Sequence, residues 1–206
     1  MHLIDQLAIF TRYPEPGQTK TRLIPALGKE GAAALQKELT EKTVQKVDQL
    51  AQTSTYEPVI YFEGGELGSM QSWLGRDRQY KEQGAGDLGE KLKRVFNAAF
   101  RAGAQRIVTI GCDCPGLTKE HINRAFDALY FNELVLGPAT DGGYYLIGLQ
   151  RPLDELFENI PWGTDKVFET TVTLAQQLGL STEILEELHD VDRPEDLKHI
   201  NYYSGT

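Results

Sequence analysis

Residues 106–115 read RIVTIGCDCP. The run Ile107-Val108-Thr109-Ile110 has no polar alternation apart from Thr109, the pattern of a central strand covered on both faces. Such strands belong to α/β sheets, whose ligands bind beyond the carboxyl ends of the strands. Asp113 follows the run directly, and a carboxylate there is costly to bury without a partner. Either it joins substrate oxygens around a hard divalent cation, since Mg²⁺ takes one or two carboxylates, or it closes a turn or caps the helix near Thr118. The two cysteines, Cys112 and Cys114, are one residue apart, a spacing that disfavours a disulfide and makes no zinc pattern by itself. They read as reduced thiols in a partly buried turn.

Outward from this strand the chain alternates strands and helices. Residues 4–10 form a strand that enters a Pro/Gly loop. From Lys29 to Ala51, Ala32, Leu35, Leu39, Thr43, Val47 and Leu50 recur at steps of three and four, one face of an amphipathic helix. Residues 57–62 form a strand ended by Gly64-Gly65. Asp87 can cap a helix with Leu88, Leu92, Val95, Phe96 and Ala99 on its apolar face. A helix over 119–129, strands at 133–137 and 144–149, a helix from Thr164 to Gly179 and a short helix opening at Pro194 complete the pattern. It implies an α/β sandwich with a mainly parallel sheet. The apolar strand 144–149 reads as an exposed edge that could pair in a homodimer.

Composition narrows the function. The 206 residues carry a formal net charge of −9, which argues against nucleic acid or anionic membranes as partners, since these need Lys/Arg to replace counterions. No apolar run reaches the ~18–20 residues of a membrane helix. The N-terminus has no basic n-region or small-residue cleavage site, so it predicts a cytoplasmic protein. The charge is uneven. Residues 1–153 hold 18 bases and 18 acids, whereas 154–206 hold 12 acids and 3 bases.

Four constellations could carry chemistry. The first is RYPEPGQTKTRL (12–23), where Arg12, Lys20 and Arg22 concentrate charge and Gly17 lets a ligand approach the backbone. Such a loop can hold phosphate oxygens, though an exposed basic loop looks the same. The second is Asp113. The third is GPATDGGYY (137–145), where Asp141 beside paired glycines is either a turn residue or a general base for an acceptor hydroxyl. The fourth is HDVDRPEDL (189–197), where Asp192 either caps the helix at Pro194 or joins Asp113 around one Mg²⁺ or Mn²⁺. Two weaker groups are QGAGDLG (83–89), with Gly86 and Asp87 placed to contact a base or sugar, and PWGT (161–164), where Trp162 stacks on a ligand or packs in the core.

Taken in order, RYPEPGQTKTRL, QGAGDLGEKL, GCDCPGL, GPATDGGYYLIGL, PWGT and DVDRPEDL resemble an uncharacterised bacterial family of the GT-A (nucleotide-diphospho-sugar transferase) superfamily. That family is similar to 2-phospholactate guanylyltransferase, and the resemblance covers residues 3–200. It implies one Rossmann-like, three-layer α/β/α nucleotide-diphospho-sugar transferase domain over 1–206, binding a nucleotide or nucleotide-sugar and a small-molecule acceptor. By the same resemblance Asp113 and Asp192 match metal positions for Mg²⁺ or Mn²⁺. Lys20 and Arg22 match the phosphate-holding loop of related nucleotidyltransferases, and the reading of the residues above adds Arg12, Gly17, Gly86 and Asp87 to the nucleotide-binding set and gives Asp141 the catalytic role. The implied activity is glycosyl transfer from a nucleotide-diphospho-sugar, with two alternatives: nucleotidyl transfer from an NTP to a phosphorylated small molecule, or nucleotide binding without catalysis. One departure from the superfamily stands out. Its glycosyltransferases carry Asp-x-Asp, where this chain has Cys112-Asp113-Cys114 with a single acid. On this reading Asp113→Ala removes Mn²⁺-dependent nucleotide binding and leaves the fold intact.

Overall fold

The computed structural model describes residues 5–51 and 56–200; Ile4, at the head of the strand expected over 4–10, lies outside them. Seven strands form one mixed sheet. They are β1 (Asp5–Arg12), β2 (Tyr56–Glu63), β3 (Gln79–Glu82), β4 (Ile107–Gly111), β5 (Leu134–Pro138), β6 (Tyr144–Leu149) and β7 (Thr182–Ile184), in the order β3-β2-β1-β4-β6-β5-β7. The helices are α1 (Ile24–Ala51), α2 (Leu67–Leu74), α3 (Leu88–Arg101), α4 (Lys119–Ala128), α5 (Val167–Gln177) and α6 (Leu197–Ile200).

Burial explains the layers. Ile107, Val108, Thr109 and Ile110 are each at most 4% exposed, as an uninterrupted apolar run requires. Val108 and Ile110 pack with Val44 and Val47 of α1, Met70 of α2 and Ile122 of α4 on one face. Ile107 packs with Leu92 and Phe96 of α3 and Ala175 of α5 on the other. The result is the expected α/β/α sandwich.

The parallel pairs are β1–β2, β1–β4, β2–β3 and β5–β7. β6 runs antiparallel to both β4 and β5. The reason is length: the link from Pro138 to Tyr144 is too short for the crossover a parallel pair needs. This corrects the expectation of an exposed edge at 144–149. β6 is hydrogen-bonded along both edges and buried, so it has no free edge for a second copy.

Other boundaries moved for local reasons. Gly28 sits at φ 72, ψ 173 inside α1, so the continuous helix begins at Lys29 as expected, preceded by a separate turn. α5 begins at Val167 rather than Thr164. The Thr164 hydroxyl donates to the Pro161 carbonyl at 2.8 Å and accepts from the Lys166 N–H at 3.2 Å, holding residues 164–166 in a turn. Among the described residues, no helix is long and apolar enough to cross a membrane.

Candidate functional site

The carboxyl ends of β1, β4 and β5 and the amino end of the reversed β6 open onto one cavity of about 970 Å³. That is the upper end of the range for small-molecule sites, room for two ligands side by side. Of the residues singled out from sequence, Arg12, Lys20, Arg22, Asp113, Asp141 and Asp192 line it. Gly17, Gly86 and Asp87 do not. Asp87 is occupied as the cap of α3, where its Oδ1 accepts from the Glu90 N–H at 2.9 Å.

The Cys-Asp-Cys turn aims its carboxylate by alternation. Cys112 and Cys114 are buried at 2% and 3% exposure, so Asp113 between them faces out. Burial pushes the Cys112 thiol up to about 12, so it stays protonated and inert. Lys46 fastens the turn from below, donating to the carbonyls of Pro115 (3.1 Å) and Leu117 (2.8 Å). The Val191 N–H donates to the Asp113 carbonyl at 2.9 Å, which docks the 190–192 segment beside it. Asp113 therefore caps no helix; Thr118 and His121 do that for α4.

Lys20 Nζ donates to Asp113 Oδ1 at 2.5 Å and to the Val191 carbonyl at 2.7 Å. Its side chain is 3% exposed. Burial alone lowers the pKa of such a lysine, but the charge of Asp113 and its hydrogen bond, with Asp192 and Asp190 behind, raise it on balance. Arg22 Nη1 donates to Asp192 Oδ2 at 2.6 Å. Asp192 is not the cap at Pro194; Asp196 instead accepts from the Asp192 and Arg193 N–H groups.

Asp141 lies in the hairpin between β5 and β6, its Oδ1 accepting from the Gly143 N–H at 2.8 Å. The hairpin is tied to both neighbours: Thr140 N–H donates to the Leu188 carbonyl and Phe168 N–H to the Gly142 carbonyl. Gly142 has φ +87, and a Cβ there would overlap the backbone of Asp165. Gly142→Ala is therefore expected to cost about 3 kcal/mol, left-handed strain plus overpacking, or roughly 6–12 °C of Tm for a chain this size. Gly163→Ala shares a positive φ (+79) but meets nothing within 4 Å. It should cost only about 1 kcal/mol. Equal melting of the two variants would mean the hairpin is not packed on Asp165.

Glu63 also lines the cavity and escaped the sequence reading, whereas Asp190 and Trp162, which line it too, fall within the HDVDRPEDL and PWGT stretches. Glu63, at the carboxyl end of β2, bridges Arg12 (2.5 Å) and Lys91 (3.1 Å). Although burial raises a carboxyl pKa, the hydrogen bonds from Arg12 and Lys91 outweigh it and hold Glu63 low. The signal for Glu63 was its position, directly after a strand and before Gly64-Gly65. Asp190 is 7% exposed and accepts from the Thr140 hydroxyl at 3.3 Å. Burial first, then the Asp141 charge, raises it to about 6. Trp162 lies edge-on to Tyr144 with ring centroids 6.3 Å apart, packed so closely on Gly89 that a Cβ there would strike its indole.

Because Asp190 is harder to ionise in the fold than in the unfolded chain, its ionisation opposes folding. The penalty grows from about pH 4 to pH 6 and is complete above that. In chelator-treated buffer Asp190→Asn should melt above the wild type at about pH 7.5, with the gap closing below about pH 4. A gap that persists at low pH would point to packing rather than charge.

Among the described residues, no three or more His, Cys, Asp or Glu side chains are grouped so that they could hold a metal by themselves. A family profile described as "Uncharacterized protein conserved in bacteria (DUF2064)" matches residues 46–164. The chain is similar to the crystal structure of a "putative nucleotide-diphospho-sugar transferase" from Desulfovibrio desulfuricans G20. Identity is 30%, the TM-score is 0.90, and the match covers 98% of this chain and 88% of that one. More distant likenesses carry the fold alone. A 4-diphosphocytidyl-2C-methyl-D-erythritol synthase from Anaerococcus prevotii shares 11% identity at TM-score 0.63, over 98% of this chain and 99% of that one. Glucosyl-3-phosphoglycerate synthase from Mycobacterium tuberculosis, solved with Mn²⁺, UDP and phosphoglyceric acid, shares 12% at TM-score 0.56, over 97% and 75%. No curated protein matches the sequence. The fold is that of the nucleotide-diphospho-sugar transferases, which glycosyltransferases and nucleotidyltransferases share.

Proposed function

The chain belongs to the bacterial DUF2064 family, and from that premise we propose that it is a divalent-metal-dependent transferase, residues 1–206 acting as one domain, that uses a nucleotide-diphospho-sugar donor. The observation that carries this reading is the meeting of Asp113, Asp192, Lys20 and Arg22, from distant segments, at one mouth of the cavity. The donor set fits Mg²⁺ or Mn²⁺: carboxylate oxygens only, from two residues, with the remaining positions left to substrate oxygens and water. The bound cation supplies Lewis-acid stabilisation of the leaving diphosphate. Lys20 and Arg22 contribute charge to the phosphates. Asp141, oriented by the Gly143 N–H, accepts the proton of the acceptor hydroxyl. Trp162 and Tyr144 form an aromatic wall for the sugar or acceptor.

A second reading is nucleotidyl transfer from an NTP to a phosphorylated small molecule. It is favoured by the basic loop after β1, which brings two cations to the site where a diphosphate with its metal needs less. Product detection separates the two. Incubated with Mn²⁺ and a panel of nucleotide-sugars, a glycosyltransferase releases nucleoside diphosphate. With NTPs and small phosphorylated acceptors, a nucleotidyltransferase releases pyrophosphate. Nucleotide binding with neither product across both panels would leave a binding protein and overturn both enzymatic readings.

A further inference from the structure

Lys20 and Arg22, the candidate phosphate ligands, are each already held by a candidate metal ligand. Lys20 Nζ lies 2.5 Å from Asp113 Oδ1, and Arg22 Nη1 lies 2.6 Å from Asp192 Oδ2. Lys20 is no loose surface partner. Its side chain is 3% exposed, its ammonium also donates to the Val191 carbonyl, and its backbone is left-handed at φ 44. Resting on the transferase reading, we infer that Lys20 and Arg22 are resident counter-ions of the Asp113–Asp192 pair, so that the site admits a divalent cation and a polyphosphate only together, as their chelate.

Charge supplies the argument. A cation arriving alone must take Asp113 from a buried ammonium of its own sign. A polyphosphate arriving alone meets a lining with seven acidic and five basic side chains, and its two nearest cations are engaged. When both arrive, the pairs exchange partners. The carboxylates turn to the cation, Lys20 and Arg22 turn to phosphate oxygens, and no buried charge is left unpaired. Two carboxylates that need no third protein ligand suit a cation that brings its own phosphate ligands.

The test uses Mn²⁺ and inorganic pyrophosphate as probes on the full chain. Mn²⁺ alone is titrated by the electron paramagnetic resonance signal of the free ion. The pair is followed by melting temperature against each probe alone. In the wild type, pyrophosphate should tighten apparent Mn²⁺ binding within the usual coupling range of about 5–150-fold. Lys20→Met should bind Mn²⁺ alone about tenfold more tightly, the repelling charge being gone, and should lose the enhancement by pyrophosphate. Arg22→Met, in which a 56% exposed side chain changes, should move in the same directions and carries the test if Lys20→Met does not fold. A merely structural lysine gives the opposite pattern, with Mn²⁺ binding weakened or unchanged and the wild-type synergy retained; that result overturns the exchange. No response of the wild type to the pair overturns the transferase reading, and the exchange falls with it.

Discussion

Replacing Asp113 with asparagine is expected to abolish metal-dependent nucleotide binding and to lower the melting temperature by several degrees. The binding loss follows from the loss of a charged oxygen ligand where only two carboxylates are proposed. The stability loss follows from Lys20. Removing the partner of a sealed buried charge costs about 3–5 kcal/mol. Asp113, however, is half exposed, and Asp190 and Asp192 still face Lys20, so roughly 1–2 kcal/mol is the better figure, or about 2–8 °C of Tm. The sequence alone led to the expectation of an intact fold without Asp113; its ion pair with a buried lysine adds that this fold is less stable. Differential scanning fluorimetry with and without Mn²⁺ and nucleotide reads both effects. Unchanged nucleotide affinity in the variant would take Asp113 out of the metal site.

Asp141→Asn is expected to lower turnover by about 10²–10⁴-fold, the usual worth of a positioned general base, while leaving nucleotide affinity within a factor of two or so. Asparagine is chosen because its Oδ1 can still accept from the Gly143 N–H, which preserves the hairpin. The effect should therefore fall on kcat and not on melting temperature. Undiminished turnover removes Asp141 as the base. Lost nucleotide binding moves it to the donor side of the cavity.

Much of the fold was legible because buried strands and amphipathic helices announce themselves. The run 107–110, the spacing of Ala32 to Leu50 and the cap at Asp87 all fell where local pattern placed them. What was missed is short or polar. β3 reads QYKE and lies at an edge of the sheet, β7 has three residues, and α2 spans eight. None is long enough for periodicity to rise above chance. The direction of β6 was within reach, since the link from Pro138 to Tyr144 leaves no room for a crossover.

The candidate site was legible to the level of residue type. Six of the nine residues named from sequence line one cavity. Their pairing was not legible, because Lys20 and Asp113 are 93 positions apart and Arg22 and Asp192 are 170 apart. Only the sheet order, which seats the loop after β1 beside the turn after β4, brings them together. Glu63 was overlooked for the same reason: its partner Arg12 is 51 positions away, and only the pairing of β1 with β2 sets the two side by side.

The central claim is that Asp113 and Asp192 hold a divalent cation for a nucleotide diphosphate. Its most direct test is a titration of the wild-type chain with UDP, GDP, CDP and ADP and their sugars, with Mn²⁺ and again with chelator, read by melting temperature. A ligand at a hundredfold excess over its Kd should stabilise the fold by about 2.7 kcal/mol. At least one nucleotide is expected to raise Tm by several degrees with Mn²⁺, and chelator to remove the shift. A shift of equal size in chelator, or none with any nucleotide, would contradict the claim.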